Sequence, residues 1–317
     1  MWYHTLIKDV RNDNMIDVSL LGTGGTMPLK SRWLSSALVR HNGHCVLFDC
    51  GEGTQISLKC ADFTFKPIDV ICLTHFHADH VSGLPGMLLS MGNEGRQEPV
   101  LIIGPKGARK VVSSLCVIAP GLTFDVEVAE LEDFEETFYF NGFTITAFKV
   151  KHAVNCYGYR IDVPRAGKFD VEKAKLNNVP MPVWSVLQKE DTAEFGGKTY
   201  TSDMVLGKKR KGIKFIYSTD TRPTESLYEN CTGADLAILE GMYGSDEKES
   251  HAKVKMHMTF AEAADIAAKS AVGELWLTHY SPSMPNPEDY IKEAQSIFPN
   301  TKPGFDGKTK TIHFAEE

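Results

Sequence analysis

The chain has 317 residues, 42% of them hydrophobic and 24% charged, a composition typical of a globular protein with a large core. Its formal net charge of −7 argues against indiscriminate nucleic-acid binding, and no apolar run is long enough to span a bilayer. The seven cysteines are odd in number and form no CxxC pair, so we expect buried free thiols in a reducing cytoplasm.

Apolar, β-rich runs alternate with helical stretches along the first half of the chain. Residues 1–14 carry charge early and lack an apolar signal core, so we interpret them as an N-terminal extension. Strands are predicted over 15–22, 35–40, 44–50, 68–75, 99–104 and 156–163, and helices over 51–59 and 80–92. Residues 133–152 predict a hairpin that turns at Asn141-Gly142.

The segment 163–211 interrupts this alternation, because it is rich in Pro, Gly and Lys and has weak periodicity. Residues 162–212 hold ten basic and seven acidic residues, so their net charge is positive in an acidic chain. We interpret the segment as an inserted functional arm rather than a linker, because strands resume directly after it. Those later strands are predicted over 213–220, 234–241, 273–279 and 310–314, with helices over 260–269 and 286–298.

The motif THFHADH, residues 74–80, follows the apolar run IDVICL, residues 68–73. It places four groups of the kind that bind zinc within six positions: His75, His77, Asp79 and His80. A single histidine is usually an ordinary core or surface residue, whereas four such residues at this spacing indicate a metal site. Ligands at positions i and i+2 of a turn can converge on one ion, while those at i+4 and i+5 point to a second.

Three further apolar runs each deliver one ligand-type residue at the C-terminal end: His152, Asp220 and His279. Strand ends are where α/β architectures place their sites. With the motif they supply three histidines for one ion, and Asp79, His80 and His279 for another. Asp220 is the carboxylate that both ions would share.

This pattern resembles the metallo-β-lactamase superfamily and, within it, the ribonuclease Z family. The resembling stretches are LGTGGTMPLKSRWLSS (21–36), DCGEGTQ (49–55), LTHFHADHVSGLPG (73–86), STDTRP (218–223), HMTFAEAADIA (257–267) and LTHYS (277–281). The resemblance covers the chain from about residue 15 onward. It implies a four-layer αββα sandwich over 15–317 as one domain, with the inserted arm at about 163–211.

The resemblance also implies a catalytic centre. One zinc ion would be held by His75, His77, His152 and Asp220, and a second by Asp79, His80, Asp220 and His279, although other divalent ions suit these ligands. Asp79 matches the proton acceptor and His257 the residue that assists the leaving group, while Asp49 would support the metal ligands.

The same resemblance implies an endoribonuclease that removes 3′ trailers from precursor tRNA and leaves a 3′-hydroxyl. The arm would grip the tRNA, and its densest basic cluster comprises Lys208, Lys209, Arg210 and Lys211. A cytoplasmic homodimer is implied, in which one subunit's arm serves the other's active site.

Three alternatives remain open from the sequence. The first is a phosphodiesterase for cyclic nucleotides or other small phosphodiesters, which would need no RNA arm. The second is a redox di-iron protein, although such sites carry a carboxylate where this chain has His77. The third is a non-catalytic RNA-binding module, which the complete ligand set disfavours.

Overall fold

The computed structural model describes residues 15–245 and 248–316, so the predicted extension over 1–14 lies outside the described residues. The strands are β1 Met15–Gly22, β2 Ser36–His41, β3 His44–Phe48, β4 Ile68–Cys72, β5 Val100–Pro105, β6 Val126–Leu131, β7 Glu135–Phe140, β8 Phe143–Lys151, β9 Asn155–Arg165, β10 Thr192–Phe195, β11 Lys198–Thr201, β12 Arg210–Ser218, β13 Leu236–Glu240, β14 Leu275–Thr278, β15 Thr301–Pro303 and β16 Lys308–His313. The helices are α1 Thr54–Cys60, α2 Ala78–Val81, α3 Leu84–Asn93, α4 Ala108–Cys116, α5 Val171–Leu176, α6 Trp184–Leu187, α7 Glu225–Cys231, α8 Glu249–Lys255, α9 Phe260–Lys269 and α10 Ile291–Ile297.

Two seven-stranded sheets carry most of these strands. The first has the order β16-β1-β2-β3-β4-β5-β6, antiparallel from β16 to β3 and parallel from β3 to β6. The second has the order β15-β14-β13-β12-β9-β8-β7, in which β12 to β15 are parallel and β7 to β9 antiparallel. The parallel strands bring several C-terminal ends to one edge of each sheet, which is where α/β proteins place their sites.

The two sheets pack face to face and carry helices on their outer faces. Phe48 of the first sheet stacks on Tyr217 of the second at 5.3 Å between ring centroids. Helices α1, α3 and α4 bury Leu58, Met87 and Val112 against the first sheet. Helices α7, α9 and α10 cover the second sheet in the same way. The predicted four-layer sandwich is confirmed.

Residues 163–213 form a separate compact unit with 314–316, and we call it the inserted unit. Contrary to the weak periodicity of its sequence, it contains regular elements: α5, α6 and the hairpin of β10 and β11. Its own small core is built from Ala174, Val179, Val183, Leu187, Ala193 and Val205. The main unit comprises the described residues of 15–162 and 214–313.

Three predicted helices differ in extent from those in the structure. The helix predicted over 51–59 begins only at Thr54 and ends at Cys60. The helix predicted over 80–92 is divided into α2 and α3, because Pro85 favours the first turn of a new helix. The helix predicted over 286–298 begins with a 3-10 turn at Pro287–Tyr290 and becomes α-helical only at Ile291. The hairpin turn at Asn141-Gly142 is confirmed, and both residues have positive φ, as a two-residue turn of this kind requires. No helix among the described residues is long and apolar enough to cross a membrane.

Candidate metal centre

The motif 74–80 occupies the loop after β4 and the first turn of α2. His75 and His77 lie in the loop, whereas Asp79 and His80 begin the helix. Helix α2 lies close to the loop that follows β3, because Cys50 N–H donates to the carbonyl of His80 at 2.8 Å. A Cβ on Gly83 would lie 2.1 Å from the carbonyl oxygen of Gly51, so only glycine permits this approach. The loop and the helix are therefore held in one arrangement.

His152 and His279 follow directly after β8 and β14, and Asp220 is the second residue after β12. Their side chains are 2%, 3% and 1% exposed, respectively. Asp220 and His279 have φ values of 24° and 56°, which non-glycine residues rarely adopt. These strained turns direct both side chains toward the motif, as expected where the surrounding structure fixes a functional site.

The first cluster is formed by His75, His77, His152 and Asp220, whose candidate ligand atoms all lie within 4.8 Å of one another. Nε2 of His75 is 2.9 Å from Nδ1 of His77. Oδ2 of Asp220 is 3.7 Å from Nε2 of His75 and 3.6 Å from Nε2 of His152. His77 is the exposed member of this cluster.

The second cluster is formed by Asp79, His80 and His279. Nε2 of His80 and Nε2 of His279 are 3.2 Å apart. They lie 3.2 Å and 3.0 Å from Oδ1 of Asp220, and His279 Nε2 is also 3.4 Å from Oδ2 of Asp79. Asp220 therefore directs one carboxylate oxygen to each cluster.

These distances fit the ligand shell of a divalent metal ion. Ligand atoms bound at about 2.0–2.1 Å around a tetrahedral zinc ion lie about 3.3 Å apart. Oδ1 of Asp220 is buried and has no hydrogen-bond partner among the described residues, although two imidazole nitrogens lie near it. An ion would satisfy this oxygen, because buried polar atoms without partners are strongly disfavoured.

Hydrogen bonds on the outer nitrogens orient three of the histidines. Nδ1 of His75 lies 3.0 Å from the hydroxyl of Thr74, and Nδ1 of His152 lies 3.1 Å from the carbonyl of Met256. Nδ1 of His80 is 2.8 Å from Oδ2 of Asp49, which is completely buried. Asp49 in turn accepts the backbone N–H of Thr74 at 2.8 Å. Such support fixes the tautomer that leaves Nε2 free for a metal.

The electrostatics of the two clusters favour positive charge beside Asp220, the carboxylate that they share. Burial opposes ionisation of Asp220, yet His279, His80 and His75 hold its pKa well below the usual range. Burial likewise opposes protonation of His279, but Asp220 and Asp79 raise the pKa of His279 to about 10. His75 differs, because burial and the neighbouring histidine His80 lower its pKa well below the usual value. A bound cation would satisfy the same negative charge and displace the protons.

His257 lies beside the two clusters, and its ring stacks on that of His279 at 5.6 Å between centroids. Its Nδ1 is 3.1 Å from Oε2 of the fully buried Glu240. Burial disfavours the charged imidazole, but Glu240 and Asp220 raise the pKa of His257 above its usual value. Because Nδ1 is also 3.9 Å from Oδ2 of Asp220, His257 forms a third candidate ligand group with Asp220 and His279.

Sequence reasoning missed Glu240 and Arg222. Glu240 ends β13, so the strand-end signal that identified Asp220 would also have found it. The Arg222 guanidinium donates to the carbonyl oxygen of His257 and forms an ion pair with Glu262 in α9. Arg222 therefore fixes the backbone at His257, a role that no local sequence pattern reveals.

The basic cluster Lys208–Lys211 lies in the inserted unit and at the start of β12. Lys208, Lys209 and Lys211 are exposed, whereas Arg210 is half-buried and donates through Nε to the carbonyl of Ala166 at 2.8 Å. Three lysine side chains of the cluster are thus exposed to solvent, and Arg210 also contributes to the local backbone arrangement.

Comparison with known proteins identifies relatives over nearly the whole chain. A family model described as Anti-Pycsar protein Apyc1 matches residues 16–170, and one described as Beta-lactamase superfamily domain matches residues 163–280. Ribonuclease Z of Agathobacter rectalis is 53% identical and covers 96% of this chain and 100% of its own length. Ribonuclease Z of Lachnoclostridium phytofermentans is also 53% identical, and it covers 95% of this chain and 99% of its own length.

Solved structures agree in fold. The short form of human tRNase Z has a TM-score of 0.68 at 24% identity and covers 95% of this chain and 100% of its own. The metallo-β-lactamase fold protein YhfI from Bacillus subtilis has a TM-score of 0.69 at 19% identity, and it covers 94% of this chain and 100% of its own. At these identities the structures show the fold alone, whereas the relatives that are 53% identical show the family. The chain has the metallo-β-lactamase fold and belongs to the ribonuclease Z family.

Proposed function

We propose that this protein is an endoribonuclease that removes the 3′ trailer from precursor tRNA by hydrolysis and leaves a 3′-hydroxyl on the tRNA. The observation that carries the proposal is the convergence of seven ligand-type side chains, with Asp220 at their centre, in a member of the ribonuclease Z family. Cleavage of a 3′-extended precursor tRNA, mapped to the nucleotide, tests it. Hydrolysis of cyclic nucleotides or bis(p-nitrophenyl) phosphate with no cleavage of precursor tRNA would favour the small-substrate alternative.

We propose two zinc ions per subunit. His75, His77, His152 and Asp220 would hold one, and Asp79, His80, Asp220 and His279 the other. The donor set fits, because imidazole and carboxylate are the ligands zinc prefers when thiolates are absent. Bound divalent ions supply Lewis acidity and lower the pKa of water to about 7, which provides a nucleophile at neutral pH.

The residues of the chain would move the protons of this reaction. Asp79 would accept a proton. Burial opposes its ionisation, but His279 and His80 lower its pKa, so the carboxylate is ionised and able to accept, and Thr26 N–H orients it by donating to Oδ2 at 2.6 Å. His257 would donate a proton to the departing 3′ oxygen. An ionised Glu240 carboxylate can only accept a hydrogen bond. It therefore keeps the proton of the neutral His257 imidazole on Nδ1, and it stabilises the charged imidazolium of His257.

Replacing His257 with alanine is expected to reduce turnover by about 10²–10⁴-fold, the contribution of a general acid. Metal content should remain that of the wild type. The measurement is single-turnover cleavage of precursor tRNA together with metal analysis of the same sample. The matched control is His251→Ala, since His251 is another histidine near Tyr243 with no proposed role. Loss of metal from His257→Ala would instead assign His257 to the ligand group with Asp220 and His279.

Replacing Asp49 with asparagine is expected to weaken zinc binding by about 10–100-fold, the usual effect of losing such a supporting carboxylate. The amide would present N–H toward Nδ1 of His80, which favours the tautomer with its proton on Nε2 and blocks the ligand atom. Competition with a chromogenic chelator measures the change. Tyr217→Phe is the control, because it removes only the 3.2 Å hydrogen bond to Asp49 Oδ2. Unchanged zinc affinity in Asp49→Asn would contradict the supporting role.

We further propose that the inserted unit binds the precursor tRNA and that the protein acts as a cytoplasmic homodimer. Support for RNA binding comes from the positive charge of residues 162–212 in a chain of net charge −7. Family membership supports the proposed dimer and its proposed location. Light scattering that gives the mass of one 35.2 kDa chain at working concentration would contradict the dimer.

A further inference from the structure

We propose that Gly25 and Thr26, in the turn after β1, are positioning residues for the second metal half-site (Asp79, His80 and His279), because Gly25 sets the place of the His279 ring and Thr26 holds Asp79. The inference rests on the proposed metal-dependent function. It assigns a role to the LGTGGT stretch, which by sequence predicts only a tight turn at a strand end.

The ring of His279 lacks the hydrogen bond that orients the other buried ligands. Its Nδ1 is buried without a partner among the described residues, whereas Nδ1 of His75, His80 and His152 each has one. Metal-binding histidines almost always have such a bond on the outer nitrogen. We therefore attribute the orientation of His279 to packing.

Gly25 supplies that packing. A Cβ on Gly25 would lie 2.7 Å from Cε1 of His279 and 2.9 Å from each ring nitrogen, so the ring occupies the space that any other residue would fill. Two backbone hydrogen bonds fix the turn to the segment beside His279. Gly25 N–H donates to the carbonyl of Tyr280 at 3.0 Å, and Tyr280 N–H donates to the carbonyl of Thr23 at 2.8 Å. The position of the His279 ring is thus coupled to that of the turn.

Thr26 holds the other ligand of this half-site. Its N–H donates to Oδ2 of Asp79 at 2.6 Å, the same oxygen that lies 3.4 Å from Nε2 of His279. Thr26 has a φ of 68°, which is strongly disfavoured for a β-branched residue. Such strain persists where the surrounding contacts require it, and here it directs the amide to the carboxylate.

The test is Gly25→Ala, measured as zinc bound per chain after equilibration with Zn²⁺ alone, and as zinc affinity by chelator competition. We expect the wild type to bind two ions, and the variant either to bind one or to bind its weaker ion at least about 10-fold less tightly. The matched control is Gly24→Ala, whose Cβ would contact Trp33 and Arg32 rather than a ligand; it should bind two ions. Wild-type affinity for both ions in Gly25→Ala, or an equal loss in Gly24→Ala, would overturn the inference. A wild type that binds no zinc would overturn the proposed function itself.

A double variant keeps the test decisive if Gly25→Ala folds poorly. In Gly25→Ala/His279→Ala the imidazole is gone, so the added methyl group has room. The free energy of unfolding of the double variant should then equal that of His279→Ala, measured by denaturant titration in a chelator. A strictly additive loss would mean that the two positions are not coupled, and it would contradict the proposed contact.

Discussion

Replacing Asp220 with asparagine is expected to remove both zinc binding and tRNA cleavage, with a fall in rate of at least about 10³-fold, since metal assistance contributes several kcal/mol. The substitution preserves volume but removes the charge that lies within 3.0–3.7 Å of four imidazole nitrogens. Both clusters lose a ligand at once, because each uses a different oxygen of this carboxylate. Metal analysis and cleavage of a 3′-extended precursor tRNA measure the effect.

The control for Asp220→Asn is Asp265→Asn, which removes a carboxylate that pairs with Lys269 outside both clusters. Circular dichroism should show that both variants fold. Full zinc content together with wild-type cleavage in Asp220→Asn would end the two-ion assignment. Retention of one ion would show that only one cluster depends on the shared carboxylate.

Removing residues 163–211 is expected to abolish cleavage of precursor tRNA while sparing hydrolysis of bis(p-nitrophenyl) phosphate. The seven proposed ligands all belong to the main unit, and the inserted unit has its own core, so the deletion leaves the metal clusters with their ligands. Rates on both substrates provide the measurement. An equal loss on the two substrates would show that the segment supports the structure rather than the substrate.

A charge variant refines this result. Changing Lys208, Lys209 and Lys211 to glutamine leaves the half-buried Arg210 in place and should weaken tRNA binding. The association constant for tRNA falls as salt rises. Each lost phosphate contact reduces the steepness of log K against log salt concentration by about one, so the triple variant should reduce it by up to about three. The matched control is Lys189→Gln/Lys198→Gln, two exposed lysines of the same unit outside the cluster. An unchanged slope in the triple variant would remove the cluster from the RNA-binding surface.

The sequence predicted those parts of the fold whose signals are local. Completely buried strands such as β13 appear as uninterrupted apolar runs, and the turn at Asn141-Gly142 has its own residue preference. The positions of His152, Asp220 and His279 followed from their places at strand ends, and the structure brings them together with the motif 74–80.

Other elements could not be predicted, because their residues carry no such pattern. Helix α4 buries only Ala108 and Val112, and β6 buries only Leu131, so neither has a continuous apolar face. The contacts of Arg222 with Glu262, and of Gly25 with His279, join residues 40 and 254 positions apart. Only the folded chain shows why these positions matter for the site.

The placement of the clusters also determines when a newly made chain can become a nuclease. His75 and its neighbours follow a strand of the first sheet, while His152, Asp220 and His279 follow strands of the second. A nascent or truncated chain that ends before residue 279 lacks one of the proposed ligands, and a chain whose sheets have not docked cannot bring the two sets together. We therefore expect the proposed two-ion centre to form only after the sandwich has closed, so that incomplete chains on the ribosome, beside the cell's RNA, lack a complete catalytic centre.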